Sequence, residues 1–134
     1  MVTTDNPHTG TYSVYFCGYM ACDDRISQVF TVPTNYKKMT LTYWWYADTN
    51  KTTKQCQDTF NSQLQTTSGT KIGQLQSSCN TDATNAWVQK TFDVSQYLAN
   101  YKGKQVSLFF EGTNANGQYQ TSDFFVDDVV VTVS

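Results

Sequence analysis

The chain has 134 residues, nine basic and eleven acidic side chains, a net charge of -2, and a composition that is 15% aromatic. One domain of this length can bury a single core. The charges are scattered without a basic block, which excludes the footprint of a nucleic-acid binder. The apolar runs Phe124 to Val126 and Val129 to Val131 are too short to cross a bilayer.

Thr occurs 21 times and Gln 12 times while Glu occurs once, a bias toward residues that suit a pleated, half-buried surface. Residues 1–9, with Pro7 and the lone His8, are expected to form a flexible lead-in, and residues 10–134 a single all-β domain. No basic-then-apolar leader opens the sequence, so an export signal is expected outside it.

Period-two alternation predicts eight strands. The first runs near Thr11 to Phe16 and is followed by Cys17, Cys22 and the acidic pair Asp23 and Asp24. The second, Ile26 to Val32, ends at the turn Pro33-Thr34-Asn35. The third, Met39 to Ala47, holds the run Tyr43-Trp44-Trp45-Tyr46. Alternation puts Tyr43 and Trp45 on one face and Trp44 and Tyr46 on the other. With Tyr43 and Trp45 in the core, Trp44 and Tyr46 are either covered by a crossing loop or free to stack on a sugar ring.

The fourth and fifth strands, Thr59 to Thr66 and Thr70 to Ser77, flank the turn signal at Ser68-Gly69. Cys56 and Cys79 lie at near-equal distances from that turn, so a hairpin brings them opposite each other. Cys17 and Cys22 then close a short loop. The competing reading is a zinc site, which takes ligands as two close pairs, and Cys56 to Cys79 is not such a pair. Two disulfides place the protein in an oxidising, extracellular compartment.

Strands near Trp87 to Val94, Gln105 to Glu111 and Asp123 to Val133 complete the set, with a turn signal at Asn114-Ala115-Asn116-Gly117 and one helical turn expected in Ser95 to Tyr101. The expected core takes Tyr12, Val14 and Phe16; Phe30 and Val32; Leu41, Tyr43 and Trp45; Phe60 and Leu64; Val106, Leu108 and Phe110; and Phe125, Val129, Val131 and Val133. The outward glutamines Gln63, Gln65, Gln74, Gln76, Gln89 and Gln105 make a neutral array, either solvated strand surface or a platform for a neutral polymer.

Five segments in order carry a resemblance: Gly10 to Phe16, Ile26 to Pro33, Leu41 to Tyr46, Trp87 to Ser95, and Phe125 to Val129 with its Asp127-Asp128. Over nearly the whole chain the sequence resembles MAM-like and carbohydrate-binding-module-like jelly rolls, close to the accessory domains at the C-terminal end of bacterial secreted peptidases. The resemblance implies a two-sheet antiparallel jelly-roll β-sandwich, often with a calcium ion near the chain ends. Function does not follow from fold.

Asp127 and Asp128 stand amid Val and Phe, where a carboxylate needs a cation or several donors. Structural Ca2+ held by Asp127 or Asp128 with Asp24 or Asp23 is the expectation. The alternative has these aspartates accept backbone N–H bonds and pair with Arg25. From a regular strand only one of Asp127 and Asp128 can point into a given site.

Catalysis finds few residues to use. There is one histidine and no Gly-x-Ser-x-Gly or His-Glu-x-x-His pattern. Glycoside hydrolysis would need Glu111 to face a second carboxylate such as Asp58. A non-catalytic secreted module for binding or attachment is expected, glycan being the foremost ligand class and the parent secreted enzyme or surface protein a neighbour. The rival function is a self-associating surface or fibre-forming domain that uses sheet edges.

Overall fold

The computed structural model describes residues 1–116 and 120–134; Gly117, the end of the Asn114 to Gly117 turn signal, lies outside them. Nine strands are present among the described residues: β1 (Val2–Thr3), β2 (Ser13–Cys17), β3 (Asp23–Thr31), β4 (Met39–Thr49), β5 (Thr59–Thr66), β6 (Lys71–Cys79), β7 (Trp87–Asp93), β8 (Gln105–Thr113) and β9 (Ser122–Val133). They form two antiparallel sheets, ordered β1-β2-β9-β4-β7 and β3-β8-β5-β6, which pack as a jelly-roll sandwich. All eight strands expected from alternation are present, and short 3-10 turns cover Asn80–Asp82 and Ala99–Tyr101.

β4 shows how alternation becomes packing. Met39, Leu41, Tyr43, Trp45 and Ala47 are buried, whereas Thr40, Thr42, Trp44, Tyr46 and Asp48 face outward half-buried. At the centre of the core Phe60 is fully buried and ringed by Phe16, Trp45, Phe110 and Phe124, with centroids 5.4 to 6.2 Å away. Deleting such a ring costs about 3 to 5 kcal/mol. Tyr43 is also fully buried; its hydroxyl donates to Gln76 Oε1 at 2.6 Å and lies 2.7 Å from Ser62 Oγ. Gln76 is therefore a core residue and not part of the outward array.

The expected core needs correcting in β9 and at Tyr12. Phe124 and Val126 point inward, and Phe125 lies on the other side of the sheet, where it pairs with Tyr15 and Tyr46. The reason is a bulge. Asp128 has φ 52, and the β4–β9 register shifts between Thr42 and Trp44, so that two β9 residues stand against one of β4. Val129, Val131 and Val133 return to the inner face after the bulge, but the sandwich is open there and they stay 45, 38 and 45% exposed. Tyr12 precedes β2 and is 62% exposed.

Residues 1–9 lie against the sandwich. β1 pairs with β2 through Val2 and Val14 and through Thr3 and Ser13. The Met1 amino group donates to the Tyr15 carbonyl, and the Tyr15 amide returns a 2.7 Å bond to the Met1 carbonyl.

Candidate functional site

The two disulfides are Cys17–Cys22 and Cys56–Cys79, each with Cα atoms 5.5 Å apart. The first clips the turn between β2 and β3. The second ties the loop before β5 to the end of β6. That loop is also held by a buried ion pair. Lys51 Nζ lies 3.1 Å from Asp58 Oδ1, with side chains 1% and 0% exposed, and donates to Gln57 Oε1. Asp58 further accepts the Ala115 amide at 2.9 Å on Oδ1 and the Ser122 hydroxyl at 2.6 Å on Oδ2, so both oxygens of a fully buried carboxylate are engaged.

This anchoring supports the outer face of the five-stranded sheet. Strand register aligns Tyr15 of β2, Phe125 of β9, Tyr46 of β4 and Trp87 of β7 in one row across four strands. Tyr15 stacks on Phe125 at 4.7 Å, Phe125 meets Tyr46 edge-on at 5.8 Å, and Tyr46 lies 5.6 Å from Trp87. At the usual strand spacing the row is about 14 Å long.

Two residues further along the strands, Asp48 stands directly opposite Asp123. Together with Tyr46, Thr49, Asn50, Asn85 and Thr121 they line an open polar pocket of about 320 Å3. Among the described residues no lysine or arginine lines it. The Asp48 carboxyl is pushed up to about 6, first by partial burial and then by hydrogen bonding and repulsion with Asp123. Tyr15 donates to Asp123 Oδ1 at 2.7 Å, and burial followed by that bond pushes the Tyr15 hydroxyl up. The contact depends on Gly18, with φ 87, because a Cβ there would overlap the Tyr15 hydroxyl and crowd Asp123. Asn50 is fixed by the Thr121 amide, which it accepts at 2.9 Å.

Of the residues expected to bind ligand, Tyr46 joins the aromatic row and lines the pocket, whereas Trp44, also half-buried on that face, lies opposite Asp127 outside the row, and His8 bridges it to Trp87, which it meets edge-on at 5.4 Å. His8 stacks on the Trp44 ring at 4.1 Å and 18°. The row members Tyr15, Phe125 and Trp87 and the pair Asp48 and Asp123 were missed. Their signal was available only through β9: once its bulge is placed, Phe125 and Asp123 share the outward face of Tyr46 and Asp48.

The aspartates expected to hold calcium do not form one site. Asp127 accepts the His8 amide at 2.9 Å and the Asp128 amide at 2.8 Å, and Asp128 lies 2.7 Å from His8 Nδ1 and accepts the Thr9 hydroxyl at 2.5 Å. The bulge lets both neighbours reach the same segment, which a regular strand forbids. Asp24 accepts the Cys17 amide at 2.9 Å and the Tyr19 hydroxyl at 3.1 Å, and Asp23 pairs with Arg25 at 2.8 Å. Cys17 is opposite Asp123, four residues and about 13 Å of strand from Asp127. The donor set does not fit calcium, because these oxygens are taken by N–H and O–H donors and lie at separate places.

Glu111 and Asp58 do not face each other across a cleft. Glu111 accepts from Arg25 at 2.6 Å and from Asn61 at 3.2 Å on the outer face of the four-stranded sheet, while Asp58 is buried with Lys51. On the same face as Glu111 the glutamines satisfy one another: Gln65 donates to Gln63, Gln63 to Gln74, and Gln74 to the Ser62 and Gln76 carbonyls.

No protein-family model matches the sequence, and no curated protein matches it. Among solved structures the fold is similar to TmCBM61 in complex with β-1,4-galactotriose, with a TM-score of 0.61 at 15% identity over 99% of this chain and 81% of that one. It is also similar to the C-terminal family 22 carbohydrate-binding module of Clostridium thermocellum Xyn10B, with a TM-score of 0.53 at 14% identity over 99% and 79%. The enzymatically active domain of bacteriophage CBA120 tailspike protein 4 gives 0.58 at 8% identity, this chain matching 17% of that one. At these identities the likeness is one of fold.

Proposed function

We propose that this domain is a non-catalytic carbohydrate-binding module, that its glycan site is the outer face of the five-stranded sheet, and that it works outside the cell. One observation carries the reading: an aromatic row on the outer face of the five-stranded sheet, half-buried at Tyr15, Tyr46 and Trp87 and buried at Phe125, runs straight into a polar pocket with two carboxylates. Aromatic faces suit the C–H face of a sugar ring, and carboxylates and amides fix its hydroxyl groups in orientation. The carbohydrate-binding modules that share the fold support the ligand class.

Lack of catalysis follows from the roles of the acids. Asp58 is locked in a buried ion pair with Lys51 and Glu111 is paired with Arg25, so neither is free to serve as the acid or the nucleophile of a glycosidase. Two disulfides among the described residues fit an oxidising compartment.

The test is a screen of soluble polysaccharides by affinity electrophoresis, followed by calorimetry on the best ligand. Trp87→Ala and Tyr46→Ala are each expected to weaken binding roughly tenfold, about 1.4 kcal/mol. Binding that survives both substitutions in folded protein would remove this face from consideration.

A further inference from the structure

We propose that the free edge of β9 is a self-association surface, on which a second copy of this chain adds its own β9 antiparallel about a two-fold axis. This does not depend on the glycan reading. β2 covers only the first half of β9, the pairing ending at Val14 opposite Val126. From Val130 to Val133 the strand keeps β4 on one side, and among the described residues no strand pairs with it on the other. An unpaired edge presents a row of N–H and C=O groups ready for another strand.

The side chains beside that edge are apolar. Val129 and Val131 line the mouth of a cavity of about 380 Å3 between the sheets, with Val14, Ile26, Phe30 and Leu108 among its walls. Val129, Val130, Val131 and Val133 are 38 to 52% exposed. The sequence from Val129 to Ser134 has no lysine or proline, the residues that normally guard such an edge.

Register and charge select the occupant. Pairing β9 with itself about Val131 sets Val129 against Val133 of the second copy and Val130 against its Thr132, so every residue facing the cleft is a valine on both strands. The same register sets Asp128 against Ser134 of the second copy, which keeps the Asp127 and Asp128 side chains of the two copies at opposite ends of the pairing. Parallel pairing in register would set each acidic residue beside its own counterpart, which is unfavourable. A two-fold contact of this kind closes on itself and gives a dimer, not a fibre.

Sedimentation equilibrium and a cysteine placed on the axis test the idea. The parent is expected to sediment as twice its 15.2 kDa mass. Val129→Lys and Val131→Lys are each expected to raise the dimer dissociation constant at least tenfold with the circular dichroism of the fold retained. Val131→Cys, a gentler change, puts two thiols on directly opposed residues, whose Cα separation of about 4.5 to 5.5 Å suits a disulfide. It is expected to cross-link under mild oxidation much faster than Val29→Cys. A parent that stays monomeric up to about 1 mM, a dimer indifferent to both lysines, or a Cys at 131 that links no faster than one at 29 would each overturn the proposal. So would a monomer that takes up an unrelated extended peptide in the cleft.

Discussion

Two carboxylate pairs lie on the outer side of the five-stranded sheet, one at each end of the outward stretch of β9, and the fold treats them in opposite ways. Asp127 and Asp128 are met by the amides of His8 and Asp128, the Thr9 hydroxyl and the His8 ring. Donation from Thr9 and then from His8 holds the Asp128 carboxyl below its usual range. Asp48 and Asp123 have one tyrosine hydroxyl between them and each other for company, and Asp48 is pushed up to about 6. The first pair fastens a segment to the sheet. The second keeps unspent capacity to accept hydrogen bonds, which is the property a ligand site needs.

The strictest form of compensation sets the upper end of this scale. Lys51→Met leaves the fully buried Asp58 without its cation and is expected to destabilise the domain by about 3 to 5 kcal/mol, read as a drop in melting midpoint of about 10 °C or more. If the midpoint hardly moves, compensation is not what separates the carboxylates of this fold.

Asp127→Asn weakens charge-assisted bonds in a partly exposed setting and is expected to cost about 1.5 to 2 kcal/mol by urea denaturation. The contribution of Asp128 also has a direction in pH. Its folded carboxyl is depressed below 3.8, so its stabilisation is complete above that value and is lost as pH falls through the folded one. Asp128→Asn is expected to flatten the acid limb of stability against pH.

Asp48→Asn works the other way. The folded state holds a proton on Asp48 more tightly than the unfolded chain does, so stability falls as pH rises from 3.8 to about 6 and stays reduced above that. Removing the charge is therefore expected to stabilise the protein at pH 7 by about 1 kcal/mol, a figure kept small because the carboxyl lines an open pocket where solvent screens it. The gain should vanish below pH 4. The same change is expected to lower glycan affinity several-fold, so stability and binding move in opposite directions only at this pair.

The smallest effect is expected from calcium. With the oxygens of Asp127, Asp128 and Asp24 already engaged by donors, melting in excess calcium and in chelator should agree within about 1 °C. A clear upward shift in calcium, abolished by Asp127→Asn, would mean that the N-terminal segment gives way to the ion.

Alternation was enough to place the eight main strands and the hairpin symmetry that pairs Cys56 with Cys79, because both depend on local pattern. The faces of β9 were not legible. Phe124, Phe125 and Val126 are all apolar, so alternation there carries no signal, and nothing in Asp127-Asp128 announces that the second adopts φ 52. One bulge reverses the parity, turning Phe125 and Asp123 out beside Tyr46 and Asp48. Half of the candidate site follows from that single residue. The short β1 and the docking of His8 on Trp44 were hidden for a different reason, since contacts across more than a hundred residues leave no period in the sequence.

The place of β9 also sets the order in which the molecule can come into being. β9, the last of the nine described strands in chain order, is the middle one of its sheet, bonded to β2 on one side and β4 on the other. Until it emerges, β2 has no neighbour but β1, and the four-stranded sheet faces half a core. Contacts such as Tyr15 with Asp123, 108 residues apart, close large loops late and make assembly slow. A chain passing end-first through a narrow channel could therefore not complete this sandwich until β9 had come through.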